Sequence, residues 1–65
     1  MSELKDKIDS ITNKIQLGQN VMYDGREYKP TALVKKYTKD GWLYSVRWIE
    51  SKSNSIIEVR VIDIE

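Results

Sequence analysis

The chain contains no cysteine and no histidine among its 65 residues. Without cysteine it can form neither a disulfide bond nor a thiolate metal site. Without histidine it lacks the most common metal ligand and the most common general base. A cysteine-free chain also suits a reducing compartment, so we predict a cytoplasmic protein. The two absences exclude most classes of enzyme, and we predict no cofactor and no metal site.

Long apolar runs and glycine-rich loops are missing as well. No segment approaches the length of a membrane-spanning helix, and residues 1–7 are charged and lack the apolar stretch of a signal peptide. The three glycines are spread over the chain, so no phosphate-binding loop is formed. Ser45 and Thr38 have no histidine that could activate them. We therefore predict a non-enzymatic protein that does not contact a membrane.

The net charge is also close to zero, since eleven basic residues stand against ten acidic ones. A charge of +1 favours neither a nucleic-acid-binding surface nor an acidic mimic of DNA. A chain this short buries only roughly 60% of its unfolded surface, so it has room for one thin core. We predict a single domain over residues 1–65, as a monomer or a weak dimer.

The N-terminal segment has the pattern of an amphipathic helix. Its apolar residues are spaced by four, three and four positions: Leu4, Ile8, Ile11 and Ile15. This spacing predicts a helix over about residues 2–17, with Ser2 as the N-cap and Gly18 as the C-terminal stop. Because a chain of this size needs all of its apolar surface to form a core, we expect the apolar stripe to pack against the rest of the domain. The alternative is that the stripe forms a dimer interface.

After Gly18 the apolar residues alternate, and turn residues recur at regular intervals. The pattern predicts strands at residues 20–23, 28–38, 42–49 and 56–62, with turns at Asp24-Gly25 and Lys39-Asp40-Gly41 and a polar connection at 51–55. Pro30 should lie at an edge or a bend, and Gly41 should have a positive φ.

Within the predicted strand 42–49, one face carries Trp42, Tyr44, Val46 and Trp48, and we expect this face to look toward the core. If four or five short strands in about 45 residues formed a flat sheet, they would leave open edges and an uncovered apolar face. The predicted fold is therefore α+β and mainly β: an N-terminal amphipathic helix at about 2–17, then a four- to five-stranded antiparallel barrel at about 19–64.

Residues 18–28, GQNVMYDGREY, and the segment that follows resemble a Tudor-type SH3-like barrel. The shared features are a glycine before the first strand, an Asp-Gly turn, an aromatic residue entering the second strand, and a third strand of valine and aromatic residues. The resemblance covers residues 18–65 and implies an SH3-like barrel. Tudor-type domains bind methylated side chains through an aromatic cage, and related barrels bind nucleic acid or protein. This chain departs from the cage pattern, because its first strand offers only Tyr23.

All six aromatic residues can form hydrogen bonds, since the chain has no phenylalanine: Tyr23, Tyr28, Tyr37, Trp42, Tyr44 and Trp48. Tyrosine and tryptophan are favoured at binding surfaces, but they also fill the cores of small domains. We assign Tyr44 and Trp48 to the core, because they alternate with Val46 on one face. Tyr37 and Trp42 flank the Lys39-Gly41 turn and are the better surface candidates.

Three cationic residues, Lys35, Lys36 and Arg47, could lie beside Tyr37 and Trp42 across the hairpin. Such a mixture of cations and rings is typical of proteins that bind single-stranded nucleic acid. The alternative is that these charges lie on the outer face of the hairpin, where they hinder edge-to-edge pairing. All five are our candidate partner-binding residues.

These observations favour a protein-binding module, such as a small regulator or inhibitor of the kind that phages and mobile elements encode. Near-neutral charge places nucleic-acid binding second. Recognition of a modified peptide by a partial aromatic cage is a third possibility.

Overall fold

The computed structural model describes residues 2–65, which form one helix, five strands and a short 3₁₀ helix. The elements are α1 (Glu3–Leu17), β1 (Val21–Tyr23), β2 (Arg26–Tyr28), β3 (Ala32–Thr38), β4 (Gly41–Glu50), β5 (Ser55–Arg60) and the 3₁₀ helix Val61–Asp63. The strands form two antiparallel sheets, β1-β2 and β3-β4-β5. The predicted helix and the mainly antiparallel β structure are confirmed. In residues 2–65 the two sheets do not join into a closed barrel.

Helix α1 begins and ends where the sequence predicts. The Ser2 hydroxyl accepts a hydrogen bond from the Lys5 backbone N–H at 3.1 Å, which satisfies one of the free donors of the first turn. Gly18 ends the helix in the left-handed region at φ 70°, and the Gln19 N–H donates to the Lys14 carbonyl. No helix among residues 2–65 is long and apolar enough to cross a membrane.

The apolar stripe of α1 packs against the rest of the domain, as predicted. Ile11 is buried, and Leu4, Ile8 and Ile15 are partly buried against the same core. The Lys7 ammonium group adds a polar connection, because it donates to the carbonyls of Ile62 and Ile64 at 3.1 and 2.8 Å. Lys7 therefore ties the helix to the C-terminal segment.

The single strand predicted at residues 28–38 is wrong, because Pro30 interrupts it. β2 ends at Tyr28 and β3 begins at Ala32, with Pro30 buried between them. Proline has no N–H to offer a sheet and has a fixed φ, so the chain bends at this position. Pairing with β4 resumes at once, since the Thr31 N–H donates to the Arg47 carbonyl at 2.8 Å.

The strand predicted at residues 56–62 is too long at its C-terminal end. β5 stops at Arg60, and Val61–Asp63 turn into a 3₁₀ helix. Residues three apart lie on the same side of a 3₁₀ helix, and Val61 and Ile64 are both buried. The chain therefore leaves the β-ladder where a turn can place two apolar side chains in the core.

The core lies between α1, the two sheets and the C-terminal turn. Its buried apolar residues are Ile11, Val21, Val46, Trp48, Val59, Val61 and Ile64. In the register of the larger sheet, Val46 lies between Leu33 of β3 and Val59 of β5, and Trp48 lies opposite Ile57. The predicted inner face of β4 is therefore confirmed at Val46 and Trp48.

The β3–β4 hairpin closes where predicted, with Lys39 and Asp40 between the paired residues Thr38 and Gly41. Gly41 has a φ of 111°, a backbone conformation that other residues rarely adopt. The predicted positive φ is confirmed. This turn places Trp42 at the open end of β4.

Candidate binding surface

The β3–β4 hairpin brings three of the five candidate residues together on the inner face of the larger sheet. Tyr37 lies directly opposite Trp42, and Lys35 lies opposite Tyr44 on the same face. The Tyr37 and Trp42 rings meet edge to face, with centroids 5.0 Å apart and planes at 68°. The Lys35 ammonium group lies 4.5 Å from the centroid of the Trp42 ring, within the range of a cation–π interaction.

This aromatic pair is exposed although it faces the same way as the core. Tyr37 is 74% exposed and Trp42 is 54% exposed. The last residue of β5, Arg60, pairs with Ser45 of β4, so residues 41–44 of β4 extend beyond the end of β5. A ring pair fixed by its own edge-to-face contact is preorganised for binding, because little side-chain entropy remains to be lost.

The other two candidates, Lys36 and Arg47, lie on the outer face of the same sheet. There they share one carboxylate: Lys36 Nζ lies 3.1 Å from Glu58 Oε2, and Arg47 Nη2 lies 3.0 Å from Glu58 Oε1. The hydrogen bond from Arg47, and then that from Lys36, lowers the pKa of Glu58. The structure therefore divides the five candidates between two faces and gives Lys36 and Arg47 an acidic partner.

A second aromatic group, which sequence reasoning did not identify, lies at the opposite end of β4. The Tyr28 and Trp48 rings stack with centroids 4.7 Å apart and planes at 18°, and Tyr23 lies 5.9 Å from Trp48 at a tilt. Rings in direct contact leave no gap in which a cation could lie between them. Trp48 is 2% exposed, so this group fills the core. Sequence spacing could not show it, because Tyr23 and Tyr28 belong to the other sheet.

Two cavities border the exposed end of β4. One of about 180 Å³ is lined by Leu4, Trp42, Leu43, Tyr44, Arg60 and Ile62. The other, of about 380 Å³, is lined by Thr38, Lys39, Asp40, Trp42, Leu43 and Arg60. Trp42, Leu43 and Arg60 line both, so the two cavities form one surface that we call the β4-edge groove. Sequence reasoning identified Leu4 only as part of the apolar stripe of the helix and did not identify Arg60 or Ile62, because their positions depend on how α1 and the C-terminal turn pack.

A third cavity, of about 360 Å³, lies at the far end of the domain beside Tyr28 and Trp48. Its charged lining is mixed, with Arg26, Lys29 and Lys52 against Glu27 and Glu50. Among residues 2–65, no group of three or more acidic side chains could hold a metal ion.

Comparisons with known proteins give no relatives. The chain matches no family model, and it has no significant match among curated proteins or solved structures.

Proposed function

We propose that this chain is a non-enzymatic protein-binding module whose contact surface is the Tyr37–Trp42 end of the larger sheet. The observation that carries the proposal is the exposed edge-to-face pair of Tyr37 and Trp42, with the Lys35 ammonium group over the indole ring. Tyrosine and tryptophan are enriched at protein interfaces, where they act as central anchors.

We further propose that the scaffold is a partly open SH3-like barrel. Two features support this proposal. The bend at Pro30 carries the chain from β2 of one sheet directly into β3 of the other. After the 3₁₀ helix, the Glu65 N–H donates to the Met22 carbonyl of β1 at 2.9 Å, which brings the C-terminal segment to the free edge of the smaller sheet. In a small barrel, a chain that bends from one sheet into the other and a C-terminal segment beside β1 would both cover strand edges.

Nucleic-acid binding has less support from the charges. Lys36 and Arg47 lie on the face opposite Tyr37 and Trp42, and both contact Glu58. Of the three candidate cations, Lys35 alone shares a face with the exposed rings. Of these three candidates, a strand of nucleic acid stacked on Trp42 would therefore meet Lys35 alone.

The test begins with affinity capture of a partner from the native host, followed by binding measurements on single variants. We expect Trp42→Ala to weaken the complex by about 2 kcal/mol or more, as the loss of a central aromatic anchor does. Ile56→Ala is the matched control, because Ile56 is also exposed and apolar but lies on β5 at the other end of the sheet. A partner that binds both variants as tightly as the parent chain would contradict the proposed surface.

The alternative function predicts a different response to salt. Affinity for single-stranded nucleic acid should fall steeply between about 50 and 200 mM salt, and replacing Lys35 and Lys36 by alanine should flatten that dependence. We expect no such salt-dependent binding from the parent chain. Steep binding that depends on these two lysines would replace the protein-binding proposal.

A further inference from the structure

The strand β4 is longer than its neighbour β5. β4 runs from Gly41 to Glu50, whereas β5 pairs only with residues 45–50 of β4. Val61–Asp63 then form a 3₁₀ helix and do not continue the ladder. On one side residues 41–44 pair with β3, and on the other side they have no strand partner in residues 2–65. In an antiparallel strand, every second residue presents its N–H and C=O to the open side.

Both cavities of the β4-edge groove lie along this open side. The smaller one has a largely apolar wall formed by Leu4, Trp42, Leu43, Tyr44 and Ile62, and Ile62 itself is 58% exposed. Space lined by apolar side chains next to a strand edge that has no strand partner is what an added strand uses. The backbone bonds supply affinity, and alternate side chains fill pockets.

The charges around the groove are mainly positive. Its charged lining consists of Lys39, Asp40 and Arg60, and Lys35 lies over the Trp42 ring that borders it. Neither Lys35, Lys39 nor Arg60 takes part in any of the ion pairs among residues 2–65. Three cations against one carboxylate complement an acidic ligand.

We propose that residues 41–44 of β4 accept an extended, acidic segment of the partner protein as an additional antiparallel or parallel strand. One apolar side chain of that segment enters the cavity between Leu4 and Trp42, and its carboxylates face Lys39 and Arg60. This inference rests on the proposed function and specifies the chemistry of the partner at the same surface.

The first experiment selects ligands without assuming the partner. A library of random short peptides displayed on phage is selected on the immobilised full chain, after depletion on the Trp42→Ala variant. We expect the enriched peptides to combine acidic residues with an apolar residue in an alternating pattern, without proline at the centre. Failure to enrich any peptide over the depleted background would overturn the inference, because the edge charges would then only protect β4 from pairing.

The second experiment locates the selected peptide by its effect on the ¹⁵N-labelled full chain. We expect shifts at the backbone amides of residues 41–44 and at the Trp42 indole, while the indole of the buried Trp48 stays unchanged. N-methylation of alternate peptide amides should abolish binding in one register and spare it in the other, because only one set faces β4. Shifts confined to the cavity beside Tyr28, or equal tolerance of both methylation patterns, would overturn strand addition.

Charge variants test the acidic character of the ligand without altering Trp42. Arg60→Gln together with Lys39→Gln should weaken the peptide by about tenfold or more, since at least one charge-assisted contact is lost. Lys52→Gln, in the polar connection after β4, is the matched control and should bind normally. Unchanged affinity in the double variant would overturn the acidic character of the ligand.

The results also separate this inference from the proposed function. A captured partner that needs Trp42 but tolerates Arg60→Gln with Lys39→Gln and leaves amides 41–44 unshifted would sustain the proposed function and overturn strand addition. A captured partner indifferent to Trp42→Ala would overturn the proposed function itself. Concentration-dependent dimerisation through residues 41–44, seen by sedimentation, would overturn the inference in favour of pairing between two copies.

Discussion

Two tryptophans six residues apart on the same face of β4 have opposite environments. Trp48 is 2% exposed and stacks on Tyr28, whereas Trp42 is 54% exposed and contacts Tyr37 at the hairpin end. The difference arises from what covers them: β5 lies beside Trp48 but ends before it reaches Trp42. Alternation along a strand therefore identifies the face of a side chain, and the lengths of the neighbouring elements decide its depth.

Replacing each tryptophan separately measures how much the two environments differ in stability. Trp48→Ala should destabilise the domain by about 3–5 kcal/mol, because it removes a fully buried ring and leaves a cavity beside Tyr28. Trp42→Ala should cost only about 1 kcal/mol, since it removes two partly exposed contacts, with the Tyr37 ring and with the Lys35 ammonium group. Urea denaturation of both variants gives the two values. Equal losses would show that the hairpin end belongs to the core and that any binding defect of Trp42→Ala is a folding defect.

A smaller effect concerns the backbone at the exposed end. Gly41→Val should destabilise the domain by at least about 1 kcal/mol, because a β-branched residue resists the φ of 111° at this position. A side chain would meet no atom within 4 Å, so the loss would measure backbone strain and not a clash. Gly41→Ala keeps the strain without the branching and should fall between the parent chain and Gly41→Val. An unchanged free energy of unfolding in both variants would show that position 41 does not require glycine.

If Gly41→Val costs more stability than Trp42→Ala, the exposed end of the hairpin depends on the Gly41 turn more than on the Trp42 ring. At the covered end, stability would then come from the buried Trp48 side chain, and at the exposed end it would come from the backbone that positions Trp42. Such an arrangement leaves Trp42 available for a partner.

Much of the fold could be predicted from local patterns. The helix bounds followed from the spacing of its apolar residues and from Ser2 and Gly18, because caps act within one turn. The hairpin at Gly41 followed from turn chemistry. The interruption at Pro30 and the end of β5 at Arg60 could not be predicted to the residue, because they depend on which apolar side chains reach the shared core.

The candidate surface was predictable only in part. Tyr37 and Trp42 were identified because they flank a turn, but the separation of Lys35 from Lys36 and Arg47 depends on strand register. Adjacent residues of a strand point to opposite faces, so Lys35 lies over Trp42 while Lys36 contacts Glu58. The β4-edge groove includes Leu4 and Ile62, which are 58 positions apart in sequence and meet only in the folded domain.

The smallest expected effect distinguishes the two faces of the sheet by pH. The hydrogen bonds from Arg47 and Lys36 lower the pKa of Glu58, so its carboxylate stabilises the fold at any pH above the usual pKa range of glutamate. That contribution is lost as the pH falls through the lowered pKa of the folded state. The stability gap between the parent chain and Glu58→Gln, from urea denaturation, should therefore narrow on acidification. Glu27→Gln, which removes an exposed carboxylate outside the ion pairs of residues 2–65, should show no such change.

The Trp42 indole resonance should stay unchanged in Glu58→Gln, because the carboxylate lies on the outer face. A shift of that resonance would show that the two faces are coupled and that the outer ion pairs help to position the binding surface.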